Sequence, residues 1–191
     1  MQRDRNATAE RLLHDVGFAL RHGYPPRELI PMLDKLIAHA QQGSDAAIFG
    51  MRELARLLVA VKPWRAARLA SEVLRYGDDV EAWSTLGIAL SMLGHFRAAA
   101  RAHRRALALN PKCAVTLHNL GHLLDVGLGR PDRGLHYLHQ ALRAQPEDLE
   151  IAASCAHALL GLGRRNEARE LLRARLPGGV AEADQLLDSW A

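Results

Sequence analysis

The chain has few of the residues that mark disulfide frameworks, cofactor sites or membrane spans. Two of its 191 residues are cysteine, and aromatic residues make up 5%. Cys113 lies near a predicted helix start and Cys155 at a predicted packing position far along the chain, and these positions are more typical of reduced structural thiols than of a disulfide. No apolar run reaches the roughly 18 residues that cross a bilayer, and the N-terminus has no signal-type apolar segment. These absences predict a cytoplasmic protein with no membrane insertion.

Motifs for catalysis or cofactor binding are also missing. The sequence has no nucleophile with a base at fixed spacing, no phosphate-cradling glycine loop and no paired carboxylates in a loop. Gly127 and Gly129 follow a predicted helix, so we interpret them as part of a turn. The sequence therefore predicts a protein that is not an enzyme and that has no cofactor.

The charge of the chain is mildly positive and comes mainly from arginine. The formal net charge is +4, and charged residues make up 24% of the chain. Two basic runs are interpreted as solvated helix faces, with an acidic partner or nucleic acid as the alternative that the charge leaves open. They are Arg97, Arg101, Arg104 and Arg105, and then Arg164, Arg165, Arg169 and Arg173. Because few aromatic residues are available to stack on bases, the sequence does not predict a nucleic-acid ligand.

What the sequence does contain is a repeated pattern of apolar and small residues. Residues 80–111 carry it most clearly: Trp83, Leu86, Gly87 and Leu90, followed by Ala99, Ala106 and Pro111. Leu117, Leu120, Gly121 and Leu124 fall 34 residues after the first four. Gly134, Ala141 and Pro146 fall 35 residues after the last three. We predict that the extra residue lies in the turn at 127–132, where it would leave the packing positions unchanged.

This pattern resembles the tetratricopeptide repeat, which reads W-x2-L-G-x2-Y, then A-x3-F, then P, with a period of about 34 residues. Leu90 and His103 depart from it at the Tyr and Phe positions. The resemblance implies an all-α, right-handed superhelix, or α-solenoid, of about five helix pairs. Small residues would lie where paired helices approach closely, and Gly94 would allow the left-handed turn between two helices.

The helical periodicity predicts how the chain divides. We expect an N-terminal hairpin over 1–44 that is either a degenerate repeat or a cap, then repeats over 45–79, 80–113, 114–148 and 149–177, and a C-terminal capping helix over 178–191. Thr8 and Asp45 are predicted to be the N-caps of the first and third helices.

In tetratricopeptide proteins, the first helix of each pair lines a concave groove that holds partner peptides. By register, the resemblance implies these groove residues: Glu81, Ser84, Ile88, Ser91, Met92, Val115, His118, Asn119, His122, Asp125, Val126, Glu150, Ala153, Ser154 and His157. The basic residues with which some members clamp a C-terminal carboxylate are absent, since only Asn119 matches. The implied function is a protein-binding scaffold, adaptor or small chaperone, and small bacterial chaperones of type III secretion are similar in size and repeat number.

The groove histidines leave other hypotheses open. His118, His122 and Asp125 lie at i, i+4 and i+7 on one helical face, and His157 occupies the position of His122 one repeat later. Two histidines at i and i+4 can share a metal ion, so His118, His122 and His157 are candidate metal ligands. Another hypothesis is a homo-oligomer, in which a terminal helix enters the groove of a second copy.

Overall fold

The computed structural model describes residues 2–190, with side chains from residue 7 to residue 190, and helices with short turns account for this part of the chain. Eleven α-helices follow one another there: α1 (Gln2–Arg21), α2 (Pro26–His39), α3 (Asp45–Leu58), α4 (Pro63–Val73), α5 (Val80–Met92), α6 (Phe96–Leu109), α7 (Ala114–His122), α8 (Pro131–Ala144), α9 (Leu149–Gly161), α10 (Arg165–Arg173) and α11 (Gly179–Ser189). A π-helical segment at Leu123–Gly127 continues α7, and we call it the π-turn. The all-α fold class is confirmed.

The helices form two compact units, of which unit 1 ends at Gly94 and unit 2 begins at His95. Unit 1 therefore contains α1 to α5, and unit 2 contains α6 to α11. The boundary falls inside the predicted repeat 80–113, in the turn between its two helices.

In unit 1, successive helices pack on one another, and α3 also contacts α1 and α5. Apolar residues spaced three and four apart give each helix one buried face. Leu33, Leu36 and Leu54 are fully buried in the resulting core, together with Val16 and Ala70.

Unit 2 repeats this arrangement. The helices from α7 to α11 pack in succession, and α9 also contacts α7 and α11. The first helices of the predicted pairs, α7 and α9, thus lie side by side, with α11 next in the row. Leu138, Cys155, Leu172 and Leu187 are fully buried in the core of this unit.

Two glycines allow α7 and α8 to approach each other closely. A Cβ atom at Gly121 would lie 2.6 Å from Leu138 Cγ, and one at Gly134 would lie 2.6 Å from the carbonyl oxygen of Gly121. These distances are far shorter than ordinary contacts, so neither position accepts a side chain without movement of the helices. The prediction that small residues lie at helix contacts is confirmed for this pair.

Gly94 is confirmed as a left-handed residue, with φ of 76°. Both predicted N-caps, by contrast, are wrong. Thr8 lies inside α1, which begins at Gln2. Ser44, not Asp45, caps α3: its backbone is extended, and its side chain accepts a hydrogen bond from the Ala47 N–H at 3.3 Å.

The extra residue of the predicted fourth repeat lies in the helix and not in the turn, so that prediction is also wrong. The Leu128 N–H donates to the Leu123 carbonyl oxygen at 3.0 Å, across five residues, and the Arg130 N–H donates to the Leu124 carbonyl oxygen at 2.7 Å. A π-turn accommodates one more residue than an α-turn. The insertion therefore lies between Gly121 and Gly134, whose close contact is kept.

Both cysteines are free thiols. Cys113 is half-buried at the N-cap of α7, whereas Cys155 is fully buried, and burial raises its pKa to about 12. None of the helices described between residues 2 and 190 has the length and apolar character that crossing a bilayer requires.

Candidate functional site

The predicted groove residues divide between the two units. Unit 1 holds Glu81, Ser84, Ile88, Ser91 and Met92, all on α5. Unit 2 holds Val115, His118, Asn119 and His122 on α7, Asp125 and Val126 in the π-turn, and Glu150, Ala153, Ser154 and His157 on α9.

The N-terminal end of α5, which carries acidic residues, forms ion pairs with α3. Arg52 lies 3.1 Å from the carboxylates of both Asp79, the N-cap of α5, and Glu81. At the other end of the helix, Met92 is 51% exposed. Glu81 is thus engaged in a structural ion pair within unit 1, and Met92 is the exposed apolar residue among the five.

In unit 2, His118 and Ser154 link α7 to α9. His118 Nε2 lies 2.9 Å from Ser154 Oγ, and either atom can donate according to the tautomer of the ring. Partial burial lowers the pKa of His118, an effect that the nearby carboxylate of Glu150 opposes. A lowered pKa keeps the imidazole neutral near pH 7, so one ring nitrogen donates and the other accepts.

A second link joins the π-turn to α9. Asp125 Oδ2 lies 2.6 Å from His157 Nδ1, and the Asp125 side chain is 5% exposed. The His157 ring packs edge-on against Trp190, with ring centroids 5.7 Å apart. The repeat register predicted that Asp125 lines an exposed groove. The π-turn instead places its side chain below the surface, where a carboxylate needs a partner.

His122 and Asn119 lie beside the His118–Ser154 and Asp125–His157 pairs, and their side chains are available to a ligand. The side chains of both form no hydrogen bond with the residues that the structure describes, and the His122 ring lies 6.1 Å from that of His118. We call the surface of His118, Asn119, His122, Ser154 and His157 the histidine face. Its polar groups belong to α7 and α9, two adjacent helices of one unit.

The pairs on this face are separate. Asp125 binds His157, and Ser154 binds His118, so the acid does not orient the imidazole that contacts the serine. A nucleophilic triad needs both contacts on a single histidine. Nor do the described residues hold a group of three or more His, Cys, Asp or Glu side chains placed to bind a metal ion. The geometry offers hydrogen-bonding groups to a ligand.

Two features of this site were not predicted from the sequence. The buried contact of Asp125 with His157 depends on the π-turn, whose only signal is the spacing of 35 residues in place of 34. The packing of Trp190 on His157 had no signal in the repeat register, because α11 lies beyond the last predicted pair.

Comparison with known proteins finds the predicted type of repeat in part of the chain. A family model described as tetratricopeptide repeat matches residues 126–188. The protein FlbA of Caulobacter vibrioides is 33% identical over 129 residues, which is 65% of this chain and 22% of FlbA. The chain therefore spans about a fifth of the length of this relative.

Solved structures of MamA share the fold. One crystal structure of MamA covers 94% of this chain and 93% of its own with a TM-score of 0.72 at 21% identity. MamA from Desulfovibrio magneticus RS-1, residue 41 to the end, covers 95% of this chain and 96% of its own with a TM-score of 0.74 at 17% identity. The family model thus identifies a tetratricopeptide repeat over residues 126–188, and the likenesses to MamA show that the chain shares the fold of that protein.

Proposed function

We propose that the protein is a non-enzymatic interaction scaffold, acting as an adaptor or small chaperone, and that its histidine face binds a segment of a partner polypeptide. The observation that carries this proposal is the row of hydrogen-bonding side chains on α7 and α9. His118 is fixed by Ser154 at 2.9 Å, and His157 by Asp125 at 2.6 Å. Groups held in place lose little entropy when a ligand binds.

The chemistry of the face suits a peptide. A peptide backbone presents both N–H donors and carbonyl acceptors, and a neutral imidazole or an amide such as Asn119 can satisfy either. Val115 and Val126, which are 57% and 56% exposed, add apolar contacts on α7 and the π-turn. Tetratricopeptide proteins generally hold peptides on these first helices, which supports the same assignment.

Site-specific photo-crosslinking in cells of the source organism tests the proposal. His122 is exposed and makes no hydrogen bond with a described residue, so its replacement by p-benzoyl-phenylalanine should leave the fold intact. The matched control carries the same crosslinker at Arg143, which is exposed on α8. We expect crosslinks to one polypeptide from position 122 and none to that polypeptide from position 143.

Mass spectrometry of the crosslinked peptides then separates the outcomes. A foreign peptide joined to position 122, whose synthetic copy binds the purified protein and loses affinity in His122→Ala, supports the proposal. A crosslink to a second copy of this chain, with a mass by light scattering that rises with concentration, indicates a homo-oligomer. Equal crosslinking from both positions, or none from position 122, would rule the histidine face out as a binding site.

A further inference from the structure

A second surface of unit 2 contains a cavity lined by arginine. It has a volume of about 300 Å³ and lies between α6, the π-turn and the start of α8. Five arginines surround it: Arg97, Arg101, Arg104, Arg130 and Arg133. Ala100, Leu124 and Leu128 form its apolar floor. We call it the arginine cavity.

The fold places these arginines in two rows. Arg97, Arg101 and Arg104 lie at i, i+4 and i+7 of α6, which puts them on one face of that helix. Arg130 and Arg133 stand at the N-cap and first turn of α8. The Arg130 N–H donates a hydrogen bond to the Leu124 carbonyl oxygen, which turns the chain back after the π-turn and holds Arg130 beside the cavity.

The five guanidinium groups form no ion pair. Among the described residues, none of them bonds to a carboxylate or donates a hydrogen bond. Elsewhere most arginines are paired with a carboxylate: Arg27, Arg52, Arg56, Arg65, Arg75, Arg164, Arg165, Arg169 and Arg173. Five unpaired cations around one cavity repel one another, and an anion placed among them would reduce that repulsion.

The cavity continues along α8. A neighbouring cavity of about 370 Å³ shares Arg104, Leu124 and Arg133 with it and adds Asp132, His136 and Tyr137. The row on α6 from Arg97 to Arg104 spans seven residues, or about 10 Å along the helix axis. The site is therefore an elongated slot with cationic sides and an apolar floor.

We propose that the arginine cavity binds an acidic segment of a partner polypeptide. The guanidinium fork matches a carboxylate in a bidentate geometry, and carboxylates about one helical turn apart would meet the arginines of each row. An apolar side chain of the same segment would contact Leu124 and Leu128. Tyr137 and His136 line the neighbouring cavity and not the arginine cavity, so bases placed among the five arginines would find no aromatic ring to stack on.

The test uses the full chain and a fluorescein-labelled peptide of about 12 residues, with glutamates spaced one helical turn apart and leucines between them. Binding is measured by fluorescence anisotropy, with the matching glutamine peptide as the neutral control. The variant R101Q/R104Q removes two charges from the cavity. The control variant R68Q/R143Q removes two charges from exposed arginines of α4 and α8 that no described carboxylate pairs.

We expect saturable binding of the glutamate peptide, weakened about tenfold or more in R101Q/R104Q and less than about twofold in R68Q/R143Q. Circular dichroism establishes that both variants are folded. Equal losses in the two variants, equal binding of the glutamine peptide, or no saturable binding at millimolar peptide would each overturn the proposal. Tighter binding of a single-stranded oligouridylate of equal charge, lost in R101Q/R104Q, would assign the cavity to nucleic acid instead. The cavity shares no residue with the histidine face, so this test and the crosslinking test can fail separately.

Discussion

At the scale of single residues, His103 places an imidazole ring in the interior of unit 2. It occupies the position where the tetratricopeptide pattern has Phe, and it is 1% exposed. Within the described part of the chain, its Nδ1 has no hydrogen-bond partner. Burial lowers the pKa of His103 from the ordinary 6.5 to about 4, because the protonated ring would lose its hydration without compensation.

This buried base predicts a loss of stability in mild acid. Between about pH 6.5 and pH 4, the unfolded chain binds a proton at His103 that the folded chain does not, so the free energy of unfolding falls as the pH falls. The loss amounts to about 2 kcal/mol between pH 7.5 and pH 5. In His103→Phe this part of the pH dependence should disappear, as measured by urea unfolding at the two pH values.

The matched control is His95→Gln, which removes an exposed histidine next to α6. It should keep the pH dependence of the unmodified protein. If His103→Phe and His95→Gln change the pH dependence equally, His103 does not bind the proton in question.

Cys155 predicts a second residue-level behaviour. Since burial raises its pKa to about 12, almost none of this thiol is ionised at about pH 8, and thiolate is the reactive form. We expect a thiol reagent to label the folded protein at Cys113 and to reach Cys155 only after unfolding. Mass spectrometry of labelled peptides over time measures this, and prompt labelling of Cys155 in Cys113→Ser without denaturant would contradict it.

At the scale of helices, the contact of α7 with α8 depends on the absence of two side chains. Gly121→Ala places a methyl group 2.6 Å from Leu138 Cγ and 3.0 Å from the Gly134 carbonyl oxygen. Overpacking of this kind costs about 1–3 kcal/mol. Gly121→Ala should therefore lower the urea midpoint of unfolding clearly.

Gly161→Ala is the control for this substitution. Its new Cβ would lie 3.6 Å from Pro131, an ordinary contact, and alanine also favours a helix over glycine. We expect an unchanged or slightly higher midpoint. Equal destabilisation by the two substitutions would mean that the close approach of α7 and α8 does not explain the effect.

The helices illustrate which features a sequence can predict. The 34-residue spacing located the helix pairs and the close contact at Gly121. It could do so because a small residue at this repeat position is needed only where two helices approach closely. The place of the inserted residue was predicted wrongly. A turn and a helix can both accept an insertion, and the packing of the neighbouring helices determines which of the two contains it. The predictions of the N-caps were wrong because they used the side chain alone. Thr8 and Asp45 have suitable side chains, but an N-cap also requires an extended backbone, and both residues are helical.

The candidate site was predictable in part by the same reasoning. Register placed His118, His122 and His157 on first helices, where the structure has them. The partners of these residues could not be derived, because the burial of Asp125 depends on the π-turn. The arginines of α6 were interpreted as a solvated face, and only the fold shows that Arg130 and Arg133 lie across a cavity from them.

At the scale of the whole molecule, each unit has its own hydrophobic core. Leu36 is fully buried in the core of unit 1 and Leu172 in that of unit 2, and the two cores share no residue. Replacing either leucine by alanine should cost about 2–5 kcal/mol. We expect Leu172→Ala to speed hydrogen exchange in α8 to α11 and Leu36→Ala to speed it in α1 to α4.

Mass spectrometry of peptides from the exchanged protein resolves these segments. Acceleration in α1 to α4 by Leu172→Ala, equal to that in α8 to α11, would show that the chain unfolds as one cooperative body. The paired substitutions control for each other, because both delete the same atoms from a fully buried position.

The π-turn couples the two candidate surfaces. Leu124 contributes to the floor of the arginine cavity, and the next residue, Asp125, contacts His157 of the histidine face. Deleting one residue between Asp125 and Arg130 would restore a 34-residue repeat, and it would turn the side chains on either side of the deletion by about 100° relative to each other. A single deletion at this point would therefore disturb an element of both surfaces at once.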